Sequence, residues 1–257
     1  NLLVPRAYVL TCVAATGLLL SVARRDGSSW SEIGLDRASL RSGLRWSAAL
    51  LAVVLLGVAV AAALPATRPA FVDARAAGLS GTAVLVRTLV RIPLGTALLE
   101  EVAFRGVLYA MLARRHGVRA AVLGSSLLFG LWHVLPSLGL RDGNAAVGSL
   151  FGAGPEAAVA AVAAAVAGTA AAGLVFCEVR RRSGGLLAPF ALHWALNSVT
   201  LAAAWVLGGR YRLRARLAAG GMGAVWVADD AVLGRQVAVK VLGEALAGDG
   251  LAAERLR

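Results

Sequence analysis

Charged residues are scarce in this chain of 257 residues, and lysine is almost missing from it. Only 16% of the residues are charged, whereas 59% are hydrophobic and the mean hydropathy is +0.75. Soluble domains carry about 25% charged residues, so this balance excludes an ordinary soluble globule and indicates a membrane protein. All but one of the 26 basic residues are arginine, and the exception is Lys240.

Cysteine is also scarce, and the two cysteines, Cys12 and Cys177, lie in apolar segments far apart in the chain. The sequence therefore contains no disulfide framework and no cysteine-based metal motif. The formal net charge of +12 is compatible with nucleic-acid binding. However, the arginines form short clusters between apolar runs, which is the pattern that orients membrane helices. We therefore expect a lipid bilayer, and no nucleic acid, as the partner of this chain.

Six apolar segments are long enough to cross about 30 Å of hydrocarbon. They are residues 2–22, 44–64, 83–113, 118–138, 155–178 and 185–207. The first is long and lacks a small-residue cleavage site, so it is predicted to be a membrane helix and not a signal peptide. The predicted fold class is therefore an all-α polytopic membrane protein with about six transmembrane helices.

Arginine clusters between these segments predict how the helices are oriented. The clusters lie at residues 24–45, 114–119 and 180–182. The positive-inside rule places these alternate loops on the cytoplasmic side. With six crossings, the arginine-rich segment that follows Gly208 would lie on the outer side, where arginine is disfavoured. A re-entrant segment, or two short helices, within residues 155–178 would remove this conflict.

Ionisable residues stand inside the third apolar segment, where they are costly and indicate a functional site by default. Glu101 and Arg105 are i,i+4 neighbours, so they are predicted to form a structural ion pair. Glu100 is turned about 100° away and lacks this partner. A carboxylate without a partner at this depth suits a group that accepts and returns a proton. The alternative is that this stretch is merely a salt-bridged helix.

Two histidines and an asparagine are predicted to lie at a similar depth. Measured from the nearest inner arginine, Glu100 and His133 each lie about 21 Å along their helices. The same measure gives about 16 Å for His193 and about 22 Å for Asn197. His193 and Asn197 are i,i+4 neighbours and share a helix face. His116 lies in an arginine-flanked loop and is predicted to be solvated.

Two kinds of hydrolytic chemistry fit these residue types. In the first, Glu100 and His133 activate a water for attack on a carbonyl. His193 and Asn197 then donate hydrogen bonds to the oxyanion. In the second, Glu100, His133 and His193 hold a divalent metal such as zinc. The sequence contains no H-E-x-x-H helix, which favours the first scheme, but the residues alone leave the cofactor as none or a divalent metal.

Three short motifs resemble those of the CPBP intramembrane proteases, which include the CAAX endopeptidases and bacterial bacteriocin-processing relatives. The motifs are EEVAFR from Glu100, FGLWH ending at His133 and RSGGLLAPFALHWALN ending at Asn197. Each motif alone is weak evidence, but three in this order on apolar helices are specific. The resemblance covers about residues 80–207 and leaves residues 1–79 as N-terminal helices and loops.

The resemblance implies an intramembrane endopeptidase that acts on a membrane-associated peptide or protein. It implies that Glu100 is the base, that His133 assists it, and that His193 and Asn197 form the oxyanion site. Glu101 and Arg105 would be structural. It leaves the metal requirement, the substrate and the oligomeric state open. A non-catalytic immunity or scaffold protein that binds a peptide in the same cavity is the alternative.

The last part of the chain resembles the beginning of a bacterial serine/threonine protein kinase. The resemblance is carried by a glycine-rich turn with Gly220, Gly223 and Val225, followed by VAVK with Lys240. It implies a partial β-rich kinase N-lobe over residues 208–257, in which these residues bind nucleotide. The H-R-D and D-F-G motifs are missing from the sequence, so this segment cannot phosphorylate a substrate. It is either a fragment or the start of a membrane-anchored kinase. These resemblances predict a multi-pass protein of a bacterial cell membrane.

Overall fold

The computed structural model describes residues 7–71, 73, 76, 79–208, 211–220, 223–230 and 235–241. Eleven α-helices precede a small sheet within these ranges. They are α1 Tyr8–Arg25, α2 Trp30–Ile33, α3 Leu40–Ala63, α4 Gly81–Val86, α5 Leu98–Glu100, α6 Tyr109–Trp132, α7 Val134–Ser137, α8 Leu140–Gly143, α9 Ala145–Phe151, α10 Pro155–Ser183 and α11 Leu187–Gly208. Short 3-10 helices span Arg37–Ser39 and Pro65–Phe71.

Five helical stretches of the described residues are long and apolar enough to cross a membrane. They are Tyr8–Arg25, Arg37–Ala63, Gly81–Trp132, Pro155–Ser183 and Leu187–Leu207. The stretch of 52 residues is interrupted at Gly117, whose φ of 83° and ψ of 170° are not helical. This stretch therefore contains two of the six predicted helices. A mostly helical, multi-pass membrane protein is confirmed.

The α10 helix runs without interruption for 29 residues. The suggestion that two short helices lie within residues 155–178 is therefore wrong. Alanine is the best helix former, and this segment is dominated by alanine, which favours one continuous helix. Pro155 occupies the first turn, where a missing N–H costs nothing, and Gly184 ends the helix in the left-handed conformation.

The helix that carries the two glutamates is wound irregularly. Residues 81–116, here called the site helix, contain two π-helical segments, Arg87–Ala97 and Glu101–Leu108, on either side of α5. Pro93 lies inside the first of them and cannot donate a backbone hydrogen bond. π-Helical turns are rare and occur mostly at functional sites. Here they fall directly before and after Leu98–Glu100.

Close contacts between helices hold the bundle together around the site helix. α6 packs on α10, and α11 packs on α3. A Cβ on Gly130 would lie 2.7 Å from the Val166 carbonyl oxygen, and one on Gly173 would lie 2.9 Å from Ser126 Cα. These glycines therefore allow α6 and α10 to approach closely, as small residues do between membrane helices.

A sheet of three antiparallel strands follows the helices, in the order β1 Tyr211–Gly220, β2 Gly223–Asp230 and β3 Arg235–Val241. Gly220 pairs with Gly223 at the first turn, and Val225 lies opposite Lys240. The predicted glycine-rich turn therefore joins two paired strands, and the VAVK segment with Lys240 lies in the third strand. The sheet does not by itself establish the predicted kinase N-lobe.

Candidate active site

Glu100 is buried on the site helix, with 8% of its surface exposed. Its Oε1 accepts a hydrogen bond of 3.1 Å from the indole Nε1 of Trp132. Within the described part of the chain, its Oε2 has no hydrogen-bond partner. One carboxylate oxygen is thus oriented by the protein, while the other is left for a bound molecule.

Two imidazoles face this unpartnered oxygen from different helices. Nε2 of His133 lies 4.0 Å from Glu100 Oε2, and Nε2 of His193 lies 3.8 Å from the same atom. Both distances are too long for a direct hydrogen bond. Polar atoms at such a separation can interact through a bridging water. The three groups therefore surround a position at which a small polar molecule can bind.

The tautomer of neutral His133 follows from its other ring nitrogen. Nδ1 lies 2.7 Å from the backbone carbonyl oxygen of Phe129, which can only accept. Nδ1 must therefore carry the proton, and Nε2 presents a lone pair toward Glu100. Two acceptors face each other across 4.0 Å, so a molecule between them must donate to both. A water can do this with its two hydrogens.

His193 is held in a different way, although it approaches the same oxygen. Its Nδ1 donates a hydrogen bond of 2.8 Å to Glu101 Oε1, and its ring stacks on Phe176 with centroids 5.4 Å apart. Only 5% of its surface is exposed. A carboxylate at Nδ1 fixes the orientation of the ring and directs Nε2 toward Glu100.

Glu101 and Arg105 form an ion pair in the interior, with 3.1 Å between Glu101 Oε1 and Arg105 Nη1. Their side chains are 1% and 0% exposed. The guanidinium carbon of Arg105 also lies 3.9 Å from the ring centroid of Phe129. We call Glu100, Glu101, Arg105, His133 and His193 the polar layer. Glu101 contacts both Arg105 and His193, so it connects the buried ion pair to the histidine that faces Glu100.

Asn197 is the predicted site residue that the structure leaves outside this network. It lies one turn after His193 on α11 and is half-buried. No hydrogen bond joins its side-chain amide to another residue in the described ranges. Trp132 and Phe176 are site residues that the sequence analysis missed. An indole N–H beside a buried carboxylate has no spacing signature, so only the tertiary structure identifies Trp132.

The metal alternative stays a prediction. In the described ranges, no three His, Cys, Asp or Glu side chains are arranged so that they could hold a metal ion. Glu100, His133 and His193 are suitable ligand types, and the Nε2 atoms of both histidines lie 3.8 to 4.0 Å from the same oxygen. No step of the reaction below is assigned to a metal.

Among the predicted nucleotide-binding residues, the backbone places Gly220 and Gly223 at the turn between β1 and β2, and Lys240 in β3 beside Val225. The sheet thus has the backbone arrangement expected from the resemblance. No other feature of the described strands indicates nucleotide binding.

Comparison with known proteins identifies two unrelated similarities. Residues 81–199 match the family described as type II CAAX prenyl endopeptidase Rce1-like. This match confirms the resemblance to the CAAX proteases over that segment, which is less than half of the chain. All five residues of the polar layer, and Asn197, lie within the matched segment.

The second similarity concerns a short segment. Serine/threonine-protein kinase PknA from Mycobacterium tuberculosis (H37Rv) and PknA from Mycobacterium bovis are each 55% identical to this chain over 51 residues. The match covers 20% of this chain and 12% of each kinase. This chain therefore spans a small part of the kinases that it matches. No solved structure matches the chain.

Proposed function

We propose that residues 80–207 form an intramembrane endopeptidase that hydrolyses a peptide bond of a membrane-associated peptide or protein. The observation that carries this proposal is the approach of two imidazole Nε2 atoms, at 4.0 and 3.8 Å, to the unpartnered Oε2 of Glu100. A polar position of this kind, enclosed in an apolar bundle, suits the activation of one water.

The reaction follows from the hydrogen-bonding roles of these groups. A water donates one hydrogen to Glu100 Oε2 and the other to His133 Nε2, which leaves its lone pairs free to attack the carbonyl carbon. Glu100 takes the first proton as the new C–O bond forms. It then returns this proton to the leaving nitrogen as the C–N bond breaks. Trp132 keeps Oε1 of Glu100 occupied, so that Oε2 is the reacting oxygen.

His193, which Glu101 orients, would stabilise the oxyanion by donating a hydrogen bond from Nε2. Asn197 would add a second donor, since its amide has no other partner in the described structure. In this proposal Glu101 and Arg105 are positioning residues, because they act through His193.

Substitution of Glu100 tests the proposal directly. Glu100→Gln keeps the acceptor for Trp132 but removes the base, so we expect a loss of about 10²- to 10⁴-fold in kcat. Cleavage of lipid-anchored and unanchored reporter peptides by the protein in phospholipid nanodiscs provides the measurement. For His133→Ala we expect a loss in kcat within the same range.

His116→Ala is the matched control, because His116 is exposed and lies outside the polar layer. It should cleave as the unmodified protein does. If Glu100→Gln keeps full activity while it inserts normally, the protease mechanism is wrong. If no form cleaves but peptide binding survives in the variants, the non-catalytic immunity or scaffold function is supported instead.

A second candidate function, membrane anchoring of a serine/threonine kinase, is favoured by the 55% identity to PknA over 51 residues. In this proposal residues 208–257 are the first part of a kinase domain and bind nucleotide through Gly220, Gly223 and Lys240. The test is the genomic sequence that follows codon 257. An open reading frame with H-R-D and D-F-G motifs supports the anchor, and a frame without them contradicts it.

A further inference from the structure

The α11 helix is hydrogen-bonded to the site helix at a second place, outside the polar layer. Nε1 of Trp194 donates a hydrogen bond of 2.7 Å to the backbone carbonyl oxygen of Thr88, and Oγ of Ser198 donates one of 3.2 Å to the same oxygen. Thr88 is buried within the first π-helical segment. Two side chains of one helix therefore bind a main-chain acceptor of its neighbour.

Pro93 explains why this carbonyl oxygen is available. In i→i+5 pairing, the partner of the Thr88 carbonyl is residue 93, and Pro93 has no backbone N–H. Inside a bilayer a freed backbone group is costly, and side chains of neighbouring helices commonly satisfy it. A carbonyl oxygen has two lone pairs, and α11 supplies two donors. The proline and these donors thus together attach α11 to the site helix.

The two donors directly follow the two α11 residues of the candidate site in the chain. Trp194 follows His193, and Ser198 follows Asn197. Each pair has i,i+4 spacing, so the donors share a helix face that is turned about 100° from the face of the site residues. The bond of 2.8 Å from His193 to Glu101 attaches one face to the site helix, and the indole bond attaches the other. Attachment of both faces fixes the rotation of α11 about its own axis.

We propose that Trp194 is a positioning residue of the candidate active site and that Ser198 supports it. The indole bond to Thr88 sets the rotation of α11 at which Nε2 of His193 lies 3.8 Å from Glu100 Oε2. The consequence for catalysis rests on the proposed function, whereas the effect on the His193 ring does not. Because Trp194 acts through α11, its loss lowers kcat and leaves KM nearly unchanged.

Trp194→Phe tests this role, since it removes the indole donor and keeps an aromatic ring. With the protein in phospholipid nanodiscs, we expect kcat to fall about tenfold and KM to stay within about twofold. Trp205→Phe is the matched control. Trp205 lies about three turns further along α11, and its Nε1 donates a bond of 2.8 Å to the Leu79 carbonyl oxygen.

Both variants lose the same kind of hydrogen bond, so a general loss of stability would affect both. Only Trp194→Phe should lower kcat. Equal kcat in the two variants overturns the proposal. A rise in KM with unchanged kcat also overturns it, because Trp194 would then contact the substrate instead of positioning α11.

A measurement on the His193 ring tests the positioning without cleavage. The chain contains three histidines, so ¹⁵N labelling of histidine gives three imidazoles to distinguish by nuclear magnetic resonance. We expect Trp194→Phe to shift the His193 resonances but not those of His116, and Trp205→Phe to shift neither. Unchanged His193 resonances in Trp194→Phe overturn the proposal. If they shift while Glu100→Gln cleaves at full rate, the positioning stands and the proposed protease mechanism fails.

Discussion

Charged residues occur in two regions of the helical bundle, and they have opposite surroundings. In the polar layer, the side chains of Glu101 and Arg105 are 1% and 0% exposed. At the inner rim, which we define as residues 24–39, 114–115 and 178–182, the side chains of Arg115 and Asp26 pair at 2.6 Å but are 57% and 23% exposed. The same kind of ion pair is therefore strongly coupled in one region and solvated in the other.

This difference in exposure determines how much each ion pair matters for stability. At the rim, an arginine that loses its partner is still hydrated, so the pair contributes little. In the layer, a group that loses its partner remains buried and charged, which costs far more than the pair gains. Burying these charged groups therefore costs free energy. The polar layer also contains Glu100, at which we propose that a water is activated.

The largest effect on stability is expected from Glu101→Ala, which leaves Arg105 buried without a carboxylate. Removing one member of a buried pair typically costs about 3–5 kcal/mol. Unfolding in lipid bicelles, followed by circular dichroism, measures the loss. The double variant Glu101→Leu with Arg105→Met should recover part of the stability but not the activity. If the double variant is no more stable than Glu101→Ala, the pair is not coupled as described.

A smaller effect is expected from Gly130→Ala, which inserts a methyl group where α6 meets α10. The added Cβ would lie 2.7 Å from the Val166 carbonyl oxygen. Such overpacking costs about 1–3 kcal/mol. Gly168→Ala is the control on α10, because its Cβ would meet nothing within 4 Å. The same unfolding measurement should find that control unchanged or slightly stabilised, and a neutral Gly130→Ala would contradict close packing here.

At the inner rim, Ser29→Ala is expected to destabilise α2 by about 1 kcal/mol, because it removes the N-cap. Ser29 Oγ accepts from the Glu32 amide at 3.1 Å, and Glu32 Oε2 accepts from the Ser29 amide at 2.6 Å. Amide hydrogen exchange of residues 30–33 measures the change. Unaltered exchange in this helix would show that the cap contributes nothing.

The same cap predicts a pH dependence. The Ser29 backbone amide, which hydrogen-bonds to the carboxylate, holds the pKa of Glu32 below its ordinary value. A lowered pKa in the folded state stabilises the protein above the unfolded pKa, and this contribution is lost as the pH falls through the folded pKa. Protection of residues 30–33 should therefore weaken in acid. Glu32→Gln should remove this dependence, and a variant that keeps it would refute the assignment.

The smallest effect is expected from Asp26→Asn, which breaks the exposed pair with Arg115. Pairs of this kind contribute about 0–1 kcal/mol, and salt screens them. The difference in unfolding free energy between this variant and the unmodified protein should disappear at high ionic strength. A large, salt-independent loss would remove the contrast between the rim and the polar layer.

Much of the helical architecture could be predicted, because long apolar segments bounded by arginine have few alternatives in a bilayer. The predicted segments 83–113 and 118–138 correspond to the helices before and after Gly117. The second ends earlier than predicted, at Trp132. Hydropathy continues through Leu135, but the backbone of His133 leaves the helical conformation with φ of −87° and ψ of 2°. A hydropathy profile contains no information on backbone conformation, so it could not predict that the helix ends here.

The π-helical segments around α5 could not be predicted, since composition does not distinguish i→i+5 from i→i+4 hydrogen bonding. Pro93 was the one local signal of irregular winding. The i,i+4 spacing predicted that Glu101 and Arg105 could pair. It did not predict that Glu101 would also hold His193, because that contact joins residues 92 positions apart.

The sequence by itself determined that this chain is a membrane protein, and it determined which polar residues stand inside apolar helices. It also determined the resemblance to two families, because each of the motifs that carry them consists of residues close together in the chain. The tertiary structure decided which atoms meet. It directs two imidazole nitrogens toward one oxygen of Glu100, occupies the other oxygen with Trp132, and places Glu101 against Arg105 and His193. Helical periodicity fixes only the direction in which a side chain leaves its own helix, whereas the packing of neighbouring helices fixes the groups that it contacts.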